Sequence, residues 1–263
     1  KSVKPGADIS SETLPSLRRI VSVSPTHQRY DNAYDFEELM QLGDDFTASE
    51  IDTFLQQVKP DDICNILHTT GTTAFPKGAM HTHNSLLGIA ANLIMEPFKL
   101  TEKDRSLEYL PFHHVGGCVY MVLAAPLCGC SIIVTEFIPD IVLPLIEKDK
   151  PTLLGGFETH FNLLMGQPSF KGRDTSSVEK VLLAAGPEWY DKIEEIFSNV
   201  KTKTHHYGFT EGTGVVVRAE EQDYAVRKNT NGKPFPGVEV KIVNPDSGEK
   251  LPPNVGGDIC VKS

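Results

Sequence analysis

The sequence is poor in basic residues, with 25 lysines and arginines against 35 aspartates and glutamates among its 263 residues. Its formal net charge at pH 7 is therefore −10. Proteins that bind nucleic acid or anionic membranes without sequence preference need clustered lysines and arginines to neutralise phosphates. The charge balance argues against both classes, so an anionic ligand would need a local binding site.

Cysteine is also scarce. The five cysteines are odd in number, and only Cys128 and Cys130 lie close together, as C-x-C. A disulfide framework needs pairs, and a zinc site needs a second closely spaced pair. The pattern favours reduced thiols and predicts a cytoplasmic protein. The start, "KSVKPGADISSE", has neither an initiator Met nor the apolar segment of a signal peptide, which indicates an internal fragment or a processed chain.

One stretch lacks charge altogether. Val115 to Val134 is twenty residues long and could span a bilayer by length alone. Pro126, Gly129 and the β-branched "SIIV" favour a buried helix, a turn and a buried strand instead. We therefore expect no transmembrane segment here.

Strand and helix patterns alternate through the middle of the chain. Apolar segments such as "ICNILHT", "SIIVTE", "PTLLGG" and "TKTHHY" predict strands, and amphipathic segments between them predict helices. The capping box "TASE", from Thr47 to Glu50, predicts a helix that runs to Val58, and Asn84 is predicted to cap the helix after the first of these strands. The pattern predicts an α/β fold with a mostly parallel sheet covered by helices on both faces.

The predicted organisation has three parts. Residues 1–60 form a lead-in segment, and residues 61–230 form an α/β core. Residues 231–263 show period-two strands joined by Pro/Gly turns, which predicts a small antiparallel element, part of a β-barrel.

The most unusual segment is "HTTGTTAFPKGAMHTH", from His68 to His83. Its glycines would let backbone N–H groups approach phosphate oxygens, its threonines add neutral donors, and Lys77 adds a positive charge. A Walker loop, G-x-x-x-x-G-K-[ST], does not fit, because Pro76 and Gly78 stand where Gly and Ser/Thr are needed. The segment is either another kind of phosphate loop or a solvated Thr-rich turn.

Two further loops follow predicted strands. "HHYGFTEGTG" offers Glu211 for a Mg²⁺-nucleotide, Thr210 for a phosphate oxygen, and the ring of Tyr207 beside the backbone of Gly208. "LAAGPEW" places small residues where a planar base could lie against the backbone. Each loop alone is also compatible with an ordinary turn. Three such loops at three strand ends indicate one ligand site.

Taken in order, these segments resemble the adenylate-forming superfamily of acyl-CoA synthetases, insect luciferases and peptide-synthetase adenylation domains. "TTGTTAFPKG" matches its phosphate loop, [ST]-[ST]-G-[ST]-T-G-x-P-K-G, except that Ala74 replaces a glycine. "LPFHHVGG" resembles L-P-x-[FY]-H-x-x-G, "YGFTE" matches Y-G-x-T-E, and "AAGP" stands where the family has G-G-A-P. The tail from "NGKPFPG" to "DICVKS" follows the family pattern, with Asp258 in place of a glutamate, so the resemblance covers at least residues 61–263.

The resemblance implies the large N-terminal domain of an acyl-CoA synthetase, with ATP, Mg²⁺ and coenzyme A as its small-molecule partners. The implied phosphate-binding residues are Thr69, Thr70, Gly71, Thr72, Thr73 and Lys77. Ala184, Ala185, Gly186 and Tyr207 with Gly208 would frame adenine, Thr210 would contact the α-phosphate, Glu211 would ligate Mg²⁺, and His114 would lie near the carboxylate or gate the acyl channel. Lys77, Thr210, Glu211 and His114 are the implied catalytic residues. The family's ribose-binding aspartate and its C-terminal domain with the catalytic lysine would lie beyond Ser263.

One difference from peptide-synthetase adenylation domains indicates the class of substrate. Peptide-synthetase adenylation domains carry F-D-x-S where this chain has "FHHVGG", and their aspartate pairs the amine of an amino acid. The chain lacks that carboxylate, which favours a simple carboxylic acid, such as a fatty acid. Glu158, where the family usually has proline, lies near the expected acyl-pocket wall and is expected to alter the fit of the substrate.

Other interpretations stay open. Ala74 is compatible with a non-catalytic nucleotide-binding module of the same fold. Further alternatives are a Walker-type NTPase, an adenylation domain for another carboxylic acid, and an enzyme with luciferase-like oxygenation. His81 and His83 share a strand face, but no third metal ligand is suitably spaced, so we interpret them as core or surface histidines beside the phosphate loop. The sequence does not indicate an oligomeric state.

Overall fold

The computed structural model describes residues 9–23, 30, 33–69, 75–214, 216–219 and 223–262. The chain divides into two compact units, residues 1–59 and 60–263. The first unit contains two short parallel strands followed by two helices: β1 (Val21–Ser22), β2 (Tyr34–Asp35), α1 (Phe36–Gly43) and α2 (Ala48–Leu55). The predicted capping box is present: Glu50 N–H donates to Thr47 Oγ1, and Thr47 N–H donates to Glu50 Oε2. The helix ends at Leu55, before the predicted Val58.

The second unit is an α/β structure. Its strands are β3 (Ile63–His68), β4 (Gly78–Thr82), β5 (Arg105–Glu108), β6 (Ser131–Val134), β7 (Leu153–Phe157), β8 (Lys180–Ala184), β9 (Thr202–Tyr207), β10 (Val217–Arg218), β11 (Lys233–Pro234), β12 (Glu239–Val243) and β13 (Asp258–Lys262). Its helices are α3 (His83–Ile89), α4 (Glu96–Phe98), α5 (Ala124–Cys128), α6 (Pro139–Asp149), α7 (Glu158–Met165), α8 (Trp189–Ile196) and α9 (Tyr224–Asn229). There are two π-helical stretches in the described residues. Ala90–Met95 connects α3 to α4, and Gly116–Leu123 leads into α5. Short 3₁₀ turns span Pro168–Phe170 and Thr210–Gly212.

A seven-stranded sheet with the order β11-β10-β9-β8-β7-β5-β6 organises this unit. Strands β6, β5, β7, β8 and β9 are parallel, and β10 pairs antiparallel with both β9 and β11. The predicted α/β fold with a mostly parallel sheet is therefore confirmed.

Helices pack against both faces of the sheet. One core cluster joins Phe161 of α7, Trp189 of α8 and Ile146 of α6 to the sheet, and the other contains Leu86 of α3 and Val119 of the second π-helical stretch. Full burial of each such side chain contributes about 1.5–3 kcal/mol. These clusters fix the strands whose carboxyl ends carry the candidate site.

The uncharged run from Val115 to Val134 folds as a helix, a turn and a strand, as predicted. Helix α5 ends at Cys128 and is capped by Gly129, whose φ of +75° suits glycine. The expectation that the strand is buried is wrong: β6 lies at the sheet edge beside β5 alone, and Val134 is 60% exposed. Among the residues that the structure describes, no helix is both long and apolar enough to cross a membrane.

The strands that flank the phosphate loop, β3 and β4, form the two arms of a hairpin. β3 and β4 pair antiparallel in a separate two-stranded sheet, so the loop connects two strands and does not lead directly into a helix. Helix α3 follows β4, and its cap is Thr82, whose Oγ1 accepts a hydrogen bond from Ser85 N–H. The prediction of Asn84 as the cap is wrong, because residues 78–82 continue as strand and the helix starts at His83.

The tail contains the predicted antiparallel pair, β12 with β13, in register at Val240 and Val261. Strand β11 precedes this pair but belongs to the large sheet. The boundaries at residues 61 and 231 stay predictions.

Candidate active site

A cavity of about 260 Å³ lies at the carboxyl ends of β7, β8 and β9. Parallel strands bring their carboxyl ends to one edge of the sheet, which is where open α/β folds bind ligands. Five of the predicted site residues line it: His114, Ala184, Tyr207, Gly208 and Thr210. Three loops that are distant in sequence therefore meet at one cavity.

The loop after β9 carries the predicted metal ligand. Thr210 and Glu211 begin the 3₁₀ turn, and Thr213 and Gly214 follow with positive φ angles of 60° and 102°. Glu211 is exposed, and no hydrogen bond or ion pair within the described ranges involves its carboxylate. An exposed carboxylate without a protein partner is chemically suited to Mg²⁺, which prefers oxygen ligands.

Small residues end the neighbouring strand. β8 and β9 are paired in register up to Leu183 and His205, so Ala184, the last residue of β8, and Ala185 after it follow the paired region on the same side as His206 and Tyr207. Gly186 begins the turn into α8, where Gly186 C=O accepts from Trp189 N–H. The predicted adenine-binding residues therefore lie on adjacent strand ends.

His114 lies in the turn before the second π-helical stretch. Its Nδ1 accepts a hydrogen bond from Gly116 N–H at 3.0 Å, and its ring lies edge-on to Phe157, with centroids 6.5 Å apart. Partial burial lowers the pKa of His114, assisted by neighbouring His113. The imidazole is thus neutral at pH 7, which suits a residue that lines an apolar cavity.

The hairpin loop is closed by paired contacts between Thr69 and Lys77. Thr69 N–H donates to Lys77 C=O at 2.9 Å, and Lys77 N–H donates to Thr69 Oγ1 at 3.2 Å. Lys77 is exposed, and its ammonium has no ion-pair partner in the described part of the chain. The predicted phosphate ligands Thr70, Gly71, Thr72 and Thr73, and the unusual Ala74, lie outside the described residues.

His81 has a larger part in the site than the sequence suggested. It is only 2% exposed, and its Nδ1 lies 3.3 Å from Thr213 Oγ1, which joins β4 to the loop after β9. Burial lowers the pKa of His81, and the nearby negative charge of Glu211 opposes that shift. The interpretation as a core histidine agrees with this burial, but His81 also connects the hairpin to the loop that bears Glu211. The expectation that His81 and His83 share a strand face is wrong, because β4 ends at Thr82 and His83 begins α3.

Two other expectations change. Glu158 does not line the cavity; it is exposed at the start of α7, and the wall is formed by Phe157 and Gly156. His206, which the sequence analysis did not name as a site residue, does line it. Within the described ranges, no group of three or more His, Cys, Asp and Glu side chains could hold a metal ion, and all five cysteines are free.

Comparison with known proteins agrees with this geometry. The family model described as "AMP-binding enzyme" matches residues 8–263. YngI of Bacillus subtilis, provisionally described as an acyl-CoA synthetase, is 32% identical over 98% of this chain and 47% of its own length. The feruloyl-CoA synthase of an Amycolatopsis species is 29% identical over 76% of this chain and 41% of its own.

A solved structure is similar as well. ATP-bound MatB from Rhodopseudomonas palustris superposes with a TM-score of 0.66 at 25% identity, covering 78% of this chain and 40% of that one. The chain thus spans less than half the length of these relatives. Because the family model covers nearly every residue and the motif-bearing loops meet at one cavity, this chain belongs to the AMP-binding enzyme family, the adenylate-forming superfamily that its motifs indicated.

Proposed function

We propose that the chain binds ATP, Mg²⁺ and a carboxylic acid, and that the complete protein containing it converts the acid to an acyl-adenylate and then to a coenzyme A thioester. The observation that carries the proposal is the meeting at one cavity of the segments that contain His114, Ala184 and Tyr207, with the exposed carboxylate of Glu211 on the loop after β9. In the first step a carboxylate oxygen attacks the α-phosphorus and pyrophosphate leaves with the electron pair of the broken P–O bond. In the second, a thiol attacks the acyl carbon and AMP leaves.

Each of the predicted site residues has a defined role in this proposal. Lys77 and Thr69, with Thr70, Gly71, Thr72 and Thr73, hold the β- and γ-phosphates. Ala184, Ala185, Gly186, Tyr207 and Gly208 frame the adenine, and Thr210 donates to the α-phosphate. Glu211 holds Mg²⁺, which when bound neutralises charge on the phosphates. His114, neutral and half-buried, borders the acyl cavity beside the reacting carboxylate.

The cavity supports a substrate without an amino group. No Asp, Glu, Lys or Arg is among the described residues that line it. A buried ammonium without a partner carboxylate would be strongly unfavourable. We therefore infer a simple carboxylic acid, and the apolar walls favour fatty or aromatic acids. Free cysteines support a cytoplasmic location.

The test is carboxylate-dependent ATP–pyrophosphate exchange by the complete protein, with short, medium, long and aromatic acids. We expect exchange with at least one class, and its loss in Lys77→Ala and Glu211→Gln variants that still fold. Binding of Mg·ATP without any exchange would favour a non-catalytic module. Release of ADP and phosphate would support a Walker-type NTPase and overturn the proposal.

A further inference from the structure

Glu108 carries a buried carboxyl group that has no role in the proposed function. It is the last residue of β5, and only 1% of its surface is exposed. Its Oε1 accepts a hydrogen bond from Leu110 N–H at 2.6 Å. Leu110 begins the segment from Leu110 to Gly117, which we call the His114 turn because it contains that candidate site residue. The carboxyl group of Glu108 therefore contacts the start of this turn.

The side chain of Glu108 points to the sheet face that is covered by the continuation of the turn. Ser106, two residues earlier in β5, places its Oγ 3.1 Å from Sδ of Met121, which lies in the π-helical stretch Gly116–Leu123. Leu107 belongs to the core cluster on the opposite face. Alternate residues of a strand share a face, so Glu108 lies between the sheet and this stretch.

Three hydrogen bonds hold the turn together. Pro111 C=O accepts from His114 N–H at 3.0 Å, and His114 Nδ1 accepts from Gly116 N–H at 3.0 Å. His114 C=O also accepts from Cys118 N–H at 2.9 Å. Leu110 directly precedes Pro111, so a shift of Leu110 is transmitted through these contacts to the ring of His114.

The turn borders the candidate cavity, whereas Glu108 does not. Leu110, His114, Val115 and Gly116 all line the cavity, and Glu108 is not among the described residues that line it. Glu108 can therefore affect a ligand there only through the turn. A displacement of about 1 Å in a positioned group can lower a reaction rate by about 100-fold, so such an indirect effect can be large.

The surroundings of Glu108 favour its neutral form. Burial raises the pKa of Glu108 to about 8, although the hydrogen bond from Leu110 opposes the shift. At pH 7 the side chain is therefore mostly the protonated acid, whose carbonyl oxygen accepts the hydrogen bond from the turn. Glutamine has a similar shape and the same accepting oxygen, so it imitates this form.

Stability alone does not account for a glutamate at this position. In the described part of the chain, no ion pair involves Glu108. Burial of a carboxyl group without a cation is unfavourable, and a well-packed apolar residue of similar volume is often as stable or more stable. The hydrogen bond to Leu110 gives this carboxyl group a role in the turn instead.

We propose that Glu108 is a positioning residue for adenylate formation: its Oε1 fixes the His114 turn, which places the ring of His114 beside the substrate carboxylate. This inference rests on the proposed function, in which His114 borders that carboxylate. Glu108 does not contact the substrate. It acts on the rate of the first chemical step and not on the binding of ATP.

The experiment measures ATP–pyrophosphate exchange at pH 7 by the complete protein with an accepted acid. Glu108→Leu, similar in size but unable to accept a hydrogen bond, should lower kcat by about tenfold or more and change KM for ATP by less than about twofold. Glu108→Gln, which keeps the accepting oxygen, should retain at least about half of the wild-type kcat. Urea denaturation checks that the variants fold, and Glu108→Met replaces Glu108→Leu if the latter does not.

A double-mutant cycle tests whether Glu108 acts through His114. In a His114→Ala background, Glu108→Leu should lower kcat by less than about twofold, because the ring that Glu108 positions is absent. A merely structural role would lower kcat by the same factor in both backgrounds.

The outcomes separate this inference from the proposed function. A wild-type kcat in the apolar variants, or equal factors in the two backgrounds, would overturn the inference and leave the proposed function standing. A loss in Glu108→Gln as large as that in Glu108→Leu would overturn the role of the accepting oxygen. No exchange by the wild-type protein with any acid would overturn both proposals.

Discussion

At the scale of single residues, His81 joins two parts of the candidate site. Its contact with Thr213 links β4, which follows the phosphate loop, to the loop that carries Glu211. A charged ligand that contacts both the phosphate loop and the loop with Glu211 binds tightly only if the distance between these loops is held constant, because misplaced binding groups lower affinity.

We therefore expect His81→Ala to weaken Mg·ATP binding by about tenfold, since the loss of one hydrogen bond costs about 1 kcal/mol and the cavity left by the ring adds to it. Titration calorimetry with Mg·ATP on folded variants measures this effect. His83→Ala, two residues along the chain and more exposed, is the matched control and should bind like the wild type. Equal affinity for the His81 variant would contradict this role.

Glu108 is a second informative residue. It is 1% exposed at the end of β5, and its Oε1 accepts a hydrogen bond from Leu110 N–H at 2.6 Å. Burial raises the pKa of Glu108 to about 8, although that hydrogen bond opposes the shift. Between about pH 4.5 and pH 8 the unfolded chain has lost this proton while the folded chain keeps it.

Glu108 should therefore make the protein less stable as pH rises across that window, by on the order of 4 kcal/mol if its pKa is about 8. Glu108→Gln, which is neutral at every pH, should flatten the pH dependence of the free energy of unfolding, measured by urea denaturation from pH 5 to 8. Glu136→Gln, at an exposed carboxylate, should keep the wild-type slope. An unchanged slope in Glu108→Gln would rule out a raised pKa.

The residues also show the limits of sequence reasoning. Thr47 was found because its capping box is a local pattern. His206 was missed because its partner, Tyr120, is distant in sequence and the dipeptide "HH" carries no signal of which ring faces a cavity. Local chemistry could be predicted, whereas contacts made by the tertiary fold could not.

At the scale of elements, the turn from Leu110 to Gly117 depends on close backbone packing. A Cβ atom at Gly117 would lie 2.5 Å from the carbonyl oxygens of Leu110 and Pro111, which is closer than real contacts allow. The segment also holds His114 at the cavity, so its conformation positions a candidate site residue.

Gly117→Ala should consequently destabilise the protein by about 2 kcal/mol or more, since the backbone must move. Gly88→Ala, in α3 with no atom near the new Cβ, should instead stabilise it by up to about 1 kcal/mol, because alanine favours helix. Thermal unfolding of the two variants compares them directly. A neutral Gly117→Ala would show that the turn adjusts at little cost.

Most of the predicted elements are present, and the differences have identifiable causes. β4 was not among the predicted strands of the sheet, because "GAMHT" is short and is followed at once by a helix pattern. The sequence indicated a strand only at His81 and His83, and the helix begins at His83 with Thr82 as its cap. The edge position of β6 depends on strand order, and strand order is a property of the whole sheet. Periodicity predicts what an element is, but not which neighbours it has.

At the scale of the whole molecule, the α/β fold followed from alternation, and so did the meeting of the loops after β8 and β9 at one cavity. That the phosphate loop belongs to the same site stays a prediction. The resemblance to adenylate-forming enzymes supplied roles for residues that pattern alone could not assign. The shape and the lining of the cavity required the structure. Substrate preference is therefore where sequence reasoning stops.

The central claim is that the carboxylate of an acid attacks the α-phosphorus of ATP. The most direct test supplies the complete protein with Mg·ATP, coenzyme A and an accepted acid labelled with ¹⁸O in both carboxylate oxygens, followed by mass spectrometry of the products. The attacking oxygen stays on phosphorus when the thiol displaces AMP, so the account predicts AMP that carries one ¹⁸O atom, together with unlabelled pyrophosphate. Formation of ADP and phosphate, or AMP without the label, would contradict it.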